Sequence, residues 1–168
     1  MRIKHALLVA LLAACAGCNK AAPDTSAQDQ SDIQALEDHW VAAVKAKDVT
    51  AIMSVYVPDE SLIVFDLVPP LQYSGAAAYR KDWQDTFAVY PGVADASIGD
   101  LEIATGGNVA YSHSIQHVSL TDKEGKRTEV TVRATDGYKK IDGHWLIAHE
   151  HVSVPVDMAT LKGDLNAK

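Results

Sequence analysis

Cysteine is scarce in this chain of 168 residues, and its two cysteines, Cys15 and Cys18, both lie near the N-terminus. A disulfide framework or a cysteine-ligated metal site needs several cysteines within the folded region. Residues 19–168 contain none. A domain formed by these residues therefore has no disulfide, no cysteine-ligated metal and no cysteine nucleophile.

Basic residues are also in deficit, since 15 lysines and arginines face 22 aspartates and glutamates, for a formal net charge of −7. Nucleic-acid binding relies on a basic surface, and no basic run occurs here, so we expect no nucleic acid among the partners. Glycine-rich phosphate loops and Ser-His-Asp arrangements are missing too. The length fits a single domain.

A membrane-spanning apolar run is absent, because the longest such stretch near the start, Ala6 to Ala14, has nine residues and a span needs about 20. A basic start followed by a short apolar core is typical of an export signal. The small residues around Cys15 and Cys18 resemble a bacterial lipoprotein signal. The resemblance implies a signal over residues 1–17, lipidation of Cys18 (or Cys15), and a periplasmic protein of the cell envelope that touches membrane only through its lipid. Secretion after cleavage beyond Ala16 is the alternative.

Helical patterns come first in the remaining chain. Residues 18–30 lack apolar periodicity and predict a flexible tether. A capping box starting at Ser31 predicts a helix to about Lys47, Asp48 caps a short second helix, and a third begins at Ser74 or Gly75. Between the second and third helices, residues 61–65 predict a short strand.

Strand patterns fill the C-terminal half. The pattern predicts four strands, over residues 97–104, 108–120, 126–141 and 144–154. Asp142-Gly143, between the last two, is a strong signal for a hairpin turn. Residues 156–168 form a polar tail with weak helical character. The order α-α-β-α-β-β-β-β predicts an α+β fold, with three N-terminal helices on one face of a curved antiparallel sheet.

Several stretches carry a resemblance to a known family: 40–48, 56–59, 61–66, 75–80 and 142–155. Over residues 31–155 the chain resembles the SnoaL-like, steroid isomerase-like family of the nuclear transport factor 2-like superfamily. The last of these stretches, residues 142–155, is also similar to the association domain of calcium/calmodulin-dependent kinase II. The resemblance implies a cone-shaped barrel, a pocket for a small molecule, no cofactor, and a homodimer formed through the outer face of the sheet.

Asp66 is the first candidate site residue, because it ends an apolar strand where burial would raise the pKa of its carboxyl. By resemblance it matches the catalytic base of steroid isomerase. The alternative is a strand-end aspartate that caps the following turn. Trp40 matches the family's oxyanion-hole tyrosine, and Asp136 lies near the position of its protonated aspartate. A tryptophan there speaks against authentic steroid isomerisation.

Histidines are the second candidate group. His149 and His151 alternate on one strand and are predicted to share a face with Trp145 and Ile147, while His113 and His117 share a face of another strand. His113 and His149 are candidate acid–base partners of the general base, and His117 and His151 candidate ligand contacts. Hydrogen bonding within the sheet is favoured over metal binding, so we expect no metal.

Arg133 lies within a strongly β-forming stretch and is a candidate clamp for an anionic ligand, a partner of a buried acid, or an exposed strand arginine. Trp40, Tyr56 and Trp83 are predicted to belong to the core and to line the pocket. Two hypotheses follow: a cell-envelope module that binds a small organic molecule, an anionic one being one option, or a cofactor-independent isomerase, hydratase or lyase that uses Asp66 as general base.

Overall fold

The computed structural model describes residues 26–167. The predicted signal, both cysteines and residues 18–25 of the predicted tether lie outside the described residues. Within the described part of the chain, no helix is long and apolar enough to cross a membrane.

In the part of the chain that the structure describes, three helices precede the long strands, as the sequence predicts: α1 (Ser26–Ala46), α2 (Val49–Met53) and α3 (Ala76–Val89). The second helix is capped as expected, since the Asp48 carboxylate accepts hydrogen bonds from the backbone N–H groups of Thr50 and Ala51.

The first helix begins at Ser26 instead of Ser31, so residues 26–30 are helical and the tether prediction is wrong for them. The cause is a tertiary contact. Asp29 is buried in the first turns of α1, where its Oδ1 accepts hydrogen bonds from Lys140 Nζ at 2.6 Å and Trp145 Nε1 at 3.2 Å.

Six strands form one sheet in the order β2-β1-β6-β5-β4-β3. Their bounds are β1 Ile63–Phe65, β2 Tyr73–Ser74, β3 Ala94–Gly106, β4 Val109–Thr121, β5 Arg127–Ile141 and β6 His144–Ser153. The predicted α+β class is confirmed. The sheet is mixed instead of wholly antiparallel, because β1 pairs with β6 in parallel. The short β2, which the sequence pattern did not indicate, pairs with β1.

The C-terminal tail is not helical as predicted, but forms a small hairpin of β7 (Val156–Asp157) and β8 (Lys162–Gly163). Strand β6 ends at Ser153, opposite Arg133, and leaves the first half of β5 without a neighbour on that side. The tail occupies this edge, where the Thr131 N–H donates to the Leu165 carbonyl at 2.7 Å.

The helices cover one face of the sheet, called here the inner face, and the core lies between them. A β-bulge decides which residues of β6 point inward. Gly137 pairs with His149 and Tyr138 with Ile147, so Ala148 is an extra residue. Because a bulge shifts the alternation of side chains by one residue, Ile147 and Glu150 both point inward. The predicted common face of the histidines with Trp145 and Ile147 is therefore wrong.

Candidate functional site

The inner face carries a buried carboxyl group held by two tyrosines. Glu150 of β6 is 5% exposed. Its Oε2 accepts a hydrogen bond from Tyr56, which follows α2, at 2.6 Å, and its Oε1 accepts one from Tyr79 of α3 at 2.9 Å. Three separate elements thus converge on one carboxyl group.

Burial raises the pKa of Glu150 to about 7, with the nearby charges of Asp66 and Glu37 adding to the effect and the two tyrosine hydrogen bonds opposing it. Burial and the charge of Glu150 also raise the pKa values of Tyr56 and Tyr79. A carboxyl group with a pKa near neutrality can exchange a proton under physiological conditions.

A second buried acid–tyrosine contact lies beside the first. The Tyr138 hydroxyl of β5 donates to Glu37 Oε1 of α1 at 2.6 Å and lies 2.7 Å from the Ser112 hydroxyl of β4. Glu37 is 2% exposed, and burial raises its pKa.

Asp136 lies between these two contacts, since it pairs with Ser112 on one side and Glu150 on the other. Burial, followed by the charges of Glu150 and Glu37, raises its pKa well above the ordinary value. We call the following six residues the acid–tyrosine cluster: Glu37, Tyr56, Tyr79, Asp136, Tyr138 and Glu150.

Four buried polar atoms of the described residues have no hydrogen-bond partner: Trp40 Nε1, Trp83 Nε1, Ser114 Oγ and Asp136 Oδ1. The two indole rings contact each other edge to face, with centroids 6.1 Å apart. A buried polar group without a partner is costly, and such groups recur where a ligand or water completes the bonding. The four atoms are two indole N–H donors, one hydroxyl oxygen and one carboxyl oxygen.

Asp66 directly follows β1 and is half-buried. Burial raises the pKa of its carboxyl as expected, and the charge of Asp82 adds to this, while backbone N–H donors of Leu67 and Val68 oppose it. The raised pKa fits a general base. The hydrogen bond that Oδ1 accepts from the Leu67 N–H fits an aspartate that caps the following turn. Both interpretations made from the sequence therefore keep support. Its charge contributes to the raised pKa values of Glu150 and Tyr79, two members of the acid–tyrosine cluster.

The structure brings Trp40, Tyr56 and Trp83 together in the same core between the helices and the sheet. These three predicted ligand contacts and Asp66 therefore lie on the inner side. The five other predicted site residues do not join them.

Those five residues lie on the outer face: His113, His117, Arg133, His149 and His151. Arg133 is exposed and pairs with Ile115, so it is neither a pocket clamp nor the partner of a buried acid. Arg133 therefore gives the interior no positive charge with which to hold an anionic ligand.

The outer-face histidines make local contacts. His149 Nδ1 lies 2.9 Å from the Ile63 carbonyl, and His117 Nδ1 lies 2.9 Å from Thr131 Oγ1. His113 lies 3.7 Å from Glu102 of β3. His151 and His149 both pack against the Phe65 ring. No group of three possible metal ligands occurs among residues 26–167.

A surface groove of about 200 Å³ lies at the other end of the sheet, between β3, β4, β5 and the tail. Its lining includes Asp95, His117, Arg127, Glu129 and Asn166. Arg127 Nε forms an ion pair with Glu129 Oε1 at 2.7 Å. This groove is remote from the acid–tyrosine cluster and does not contain its chemistry.

Sequence reasoning missed Glu37, Tyr79, Tyr138 and Glu150 as site residues. Glu37 and Tyr138 did carry a signal, since each is a polar residue spaced with apolar ones on the buried side of its element. Glu150 carried none, because only the bulge at Ala148 turns it inward.

Comparison with known proteins agrees with this architecture. An NTF2-like protein of unknown function from Pseudomonas putida KT2440 is 29% identical, with 85% of this chain and 98% of that chain covered and a TM-score of 0.75. An NTF2-like superfamily protein from Salmonella enterica serovar Typhimurium LT2 is 16% identical, with coverage of 82% and 99% and a TM-score of 0.71.

A candidate scytalone dehydratase from Novosphingobium aromaticivorans is 14% identical, covers 80% of this chain and 89% of its own, and has a TM-score of 0.71. At such identity the likeness shows the fold alone. No curated protein matches the chain. The family model for the SnoaL-like domain matches residues 33–157, and the chain therefore belongs to the SnoaL-like domain family, with the NTF2-like fold.

Proposed function

We propose that the protein binds a small organic molecule in its interior, between the three helices and the inner face of the sheet. The observation that carries this proposal is the set of four unpartnered buried polar atoms on Trp40, Trp83, Ser114 and Asp136. Apolar walls with a few convergent polar groups are the usual composition of a small-molecule site. Aromatic rings of α1 and α3 supply the apolar part.

Mass spectrometry of small molecules released from the purified, denatured protein tests this proposal. We expect one organic compound in stoichiometric amount, strongly reduced in Asp136→Asn and unchanged in Arg133→Ala on the outer face. A preparation without any such compound, or loss of the compound only in Arg133→Ala, would overturn interior binding.

Acid–base catalysis by a cofactor-independent isomerase, hydratase or lyase is the second candidate function. It is favoured by Glu150, whose pKa of about 7 suits proton transfer near neutral pH, and by Asp66, the general base suggested by the family resemblance. Both carboxyl groups lie on the same side of the sheet. Asp136 would serve as a neutral hydrogen-bond donor.

The two candidate functions differ in the behaviour of Asp66→Asn. If the protein only binds, the variant retains nearly all its affinity for the molecule identified by mass spectrometry. If the protein is an enzyme, incubation with that molecule gives a product with the unmodified chain and none with Asp66→Asn or Glu150→Gln, while circular dichroism shows that both variants remain folded.

A homodimer formed through the outer face is part of the proposal and rests on the family resemblance. Light scattering should give twice the 18.1 kDa of the full-length chain, or twice the mass of the processed form. Ile115→Glu at the centre of the outer face should give monomers, whereas Lys123→Glu in the β4–β5 turn should not. A monomeric unmodified chain would contradict it.

The lipid anchor at Cys18 (or Cys15) and the periplasmic location are likewise proposals from the sequence. Labelling of the expressed protein with a radioactive fatty acid tests them. We expect label in the unmodified chain and its loss in only one of Cys18→Ala and Cys15→Ala. An unlabelled, soluble product would favour the secreted form.

A further inference from the structure

Aromatic side chains form one continuous chain of ring contacts in the interior. The Tyr79 ring touches Tyr56, Tyr73 and Trp83, with centroids 5.3 to 6.1 Å apart. Trp83 in turn touches Trp40 at 6.1 Å and Phe87 at 5.5 Å. The residues come from α1, α3, β2 and the segment after α2, so the fold assembles this aromatic wall from distant parts of the chain.

Four carboxyl groups lie on the same side of the sheet as this wall: Glu37, Asp66, Asp136 and Glu150. Glu150 accepts hydrogen bonds from the hydroxyls of two wall residues, Tyr56 and Tyr79. Among residues 26–167, no lysine, arginine or histidine forms an ion pair with any of the four. The nearest inward cation of β5, Lys140, is bound to Asp29 at 2.6 Å. These four carboxyl groups therefore have no compensating positive side chain among the described residues.

Asp136 is the acidic residue among the four with unpartnered buried polar atoms. It is 2% exposed, it points inward from the centre of the sheet, and its Oδ1 has no hydrogen-bond partner. The acids around it, Glu37 and Glu150, are each already held by tyrosine hydroxyls. A hydrogen bond from Ser112 opposes the rise in the pKa of Asp136, and Oδ1 is the carboxyl oxygen left available to a bound molecule.

We infer that the interior selects a small organic cation, an alkylammonium ion with a hydroxyl or carbonyl group, whose charge lies against the aromatic wall and Asp136. Ring faces attract ammonium groups, and aromatic cages use this to recognise quaternary ammonium ligands. The Trp40 and Trp83 N–H groups are suited to the oxygen atom of such a ligand. This inference rests on the proposed interior binding and adds the charge class of the ligand.

Binding of a cation would release a proton. Burial raises the pKa values of Asp136, Glu37 and Glu150. Neighbouring charges add to this: those of Glu150 and Glu37 at Asp136, those of Asp66 and Glu37 at Glu150, and that of Asp38 at Glu37. A bound ammonium ion favours the ionised carboxylate, so one carboxyl proton passes to the solvent. The other polar groups that face these acids are Tyr56, Tyr79, Tyr138, Ser112 and the half-buried Asp66. Affinity therefore rises with pH.

Titration calorimetry of the full chain with three molecules of one shape tests the inference. These are choline, neohexanol, in which carbon replaces the nitrogen, and the tert-butylacetate anion. We expect choline to bind at least about tenfold more tightly than neohexanol near pH 8, and tert-butylacetate not to bind. The affinity for choline should fall as the pH decreases to about 6, with proton release seen as a buffer-dependent heat.

Nuclear magnetic resonance locates the bound probe, since the chain has three tryptophans. The indole N–H signals of Trp40 and Trp83 should shift on addition of choline. The signal of Trp145, which donates to Asp29, should stay and serves as the internal control. Asp136→Asn should abolish the preference for choline over neohexanol.

The other possible results distinguish a failure of the charge selectivity from a failure of interior binding. Equal affinity for choline and neohexanol would overturn the charge selectivity and leave interior binding intact. Tighter binding of the anion, or shifts of Trp145 alone, would overturn it as well. If none of the three probes binds, the cation inference fails, and the compound released from the purified protein decides the proposed function separately.

Discussion

Asp136 of β5 and Glu150 of β6 are directly paired residues on neighbouring strands, and both side chains point toward the helices. Directly opposed residues have Cβ atoms roughly 5 Å apart, a distance at which two carboxylates repel strongly. Neither acid has an ion-pair partner among residues 26–167. The pair therefore holds a proton under conditions in which an isolated acid would be ionised.

Stability should consequently decrease as the pH rises. The pKa of Glu150 is about 7 in the folded protein against an ordinary value of 4.5. Between these two values the folded chain keeps a proton that the unfolded chain loses. The contribution of Glu150 to the free energy of unfolding is therefore largest below about pH 4.5. It decreases by about 1 kcal/mol per pH unit as the pH rises to about 7. Asp136 and Glu37 act in the same direction.

Urea unfolding between these pH values measures the slope. Glu150→Gln should flatten the decrease because its amide does not titrate, whereas Glu124→Gln in the exposed β4–β5 turn should leave it unchanged. An identical slope in the unmodified chain and Glu150→Gln would show that the pKa of Glu150 is the same in the folded and unfolded chain.

Removal of the Tyr138 hydroxyl should destabilise the protein without changing its fold. This hydroxyl bonds both Glu37 and Ser112, so Tyr138→Phe leaves two buried polar groups short of a partner, at a cost of about 2 kcal/mol. Tyr111→Phe on the exposed outer face is the matched control and should change the free energy of unfolding by less than about 0.5 kcal/mol. Equal effects would contradict the buried contact.

The fold was largely predictable from local patterns. The Asp48 cap, the apolar spacing of α3 and the Asp142-Gly143 turn each depend on a few neighbouring residues, and all three appear as predicted. The parallel pairing of β1 with β6 and the early start of α1 depend on contacts between residues far apart in sequence. No local pattern encodes such contacts.

The site was predicted only in part, and β6 shows why. Regular alternation from Trp145 places His149 inward and Glu150 outward. One extra residue at Ala148 reverses this order. Arg133 failed for a different reason: β-propensity indicates that a residue lies in a strand but not which face it occupies. Trp40 and Trp83 needed no such information, because helical spacing defines which side of α1 and α3 is buried.

The buried ion pair of α1 should be essential to its first turns. Lys140→Met removes the cation bound to Asp29, which is 2% exposed, and we expect a loss of about 3 kcal/mol because the carboxylate stays buried. Lys139→Met, at the neighbouring exposed position, should cost less than about 0.5 kcal/mol. Hydrogen exchange of residues 26–30 should increase in the first variant only. Unchanged protection would mean that this end of α1 is held by other contacts.

The unpartnered indole groups give the most direct test of the interior. Trp40 and Trp145 are 5% and 4% exposed, so replacement by phenylalanine removes a similar buried ring at each site. Trp145 N–H donates to Asp29, whereas Trp40 N–H has no partner. Trp145→Phe should therefore cost about 1–2 kcal/mol more than Trp40→Phe in urea unfolding. An equal or larger loss in Trp40→Phe would show that this N–H is already bonded within the protein, and the polar group offered to a ligand would then lie elsewhere.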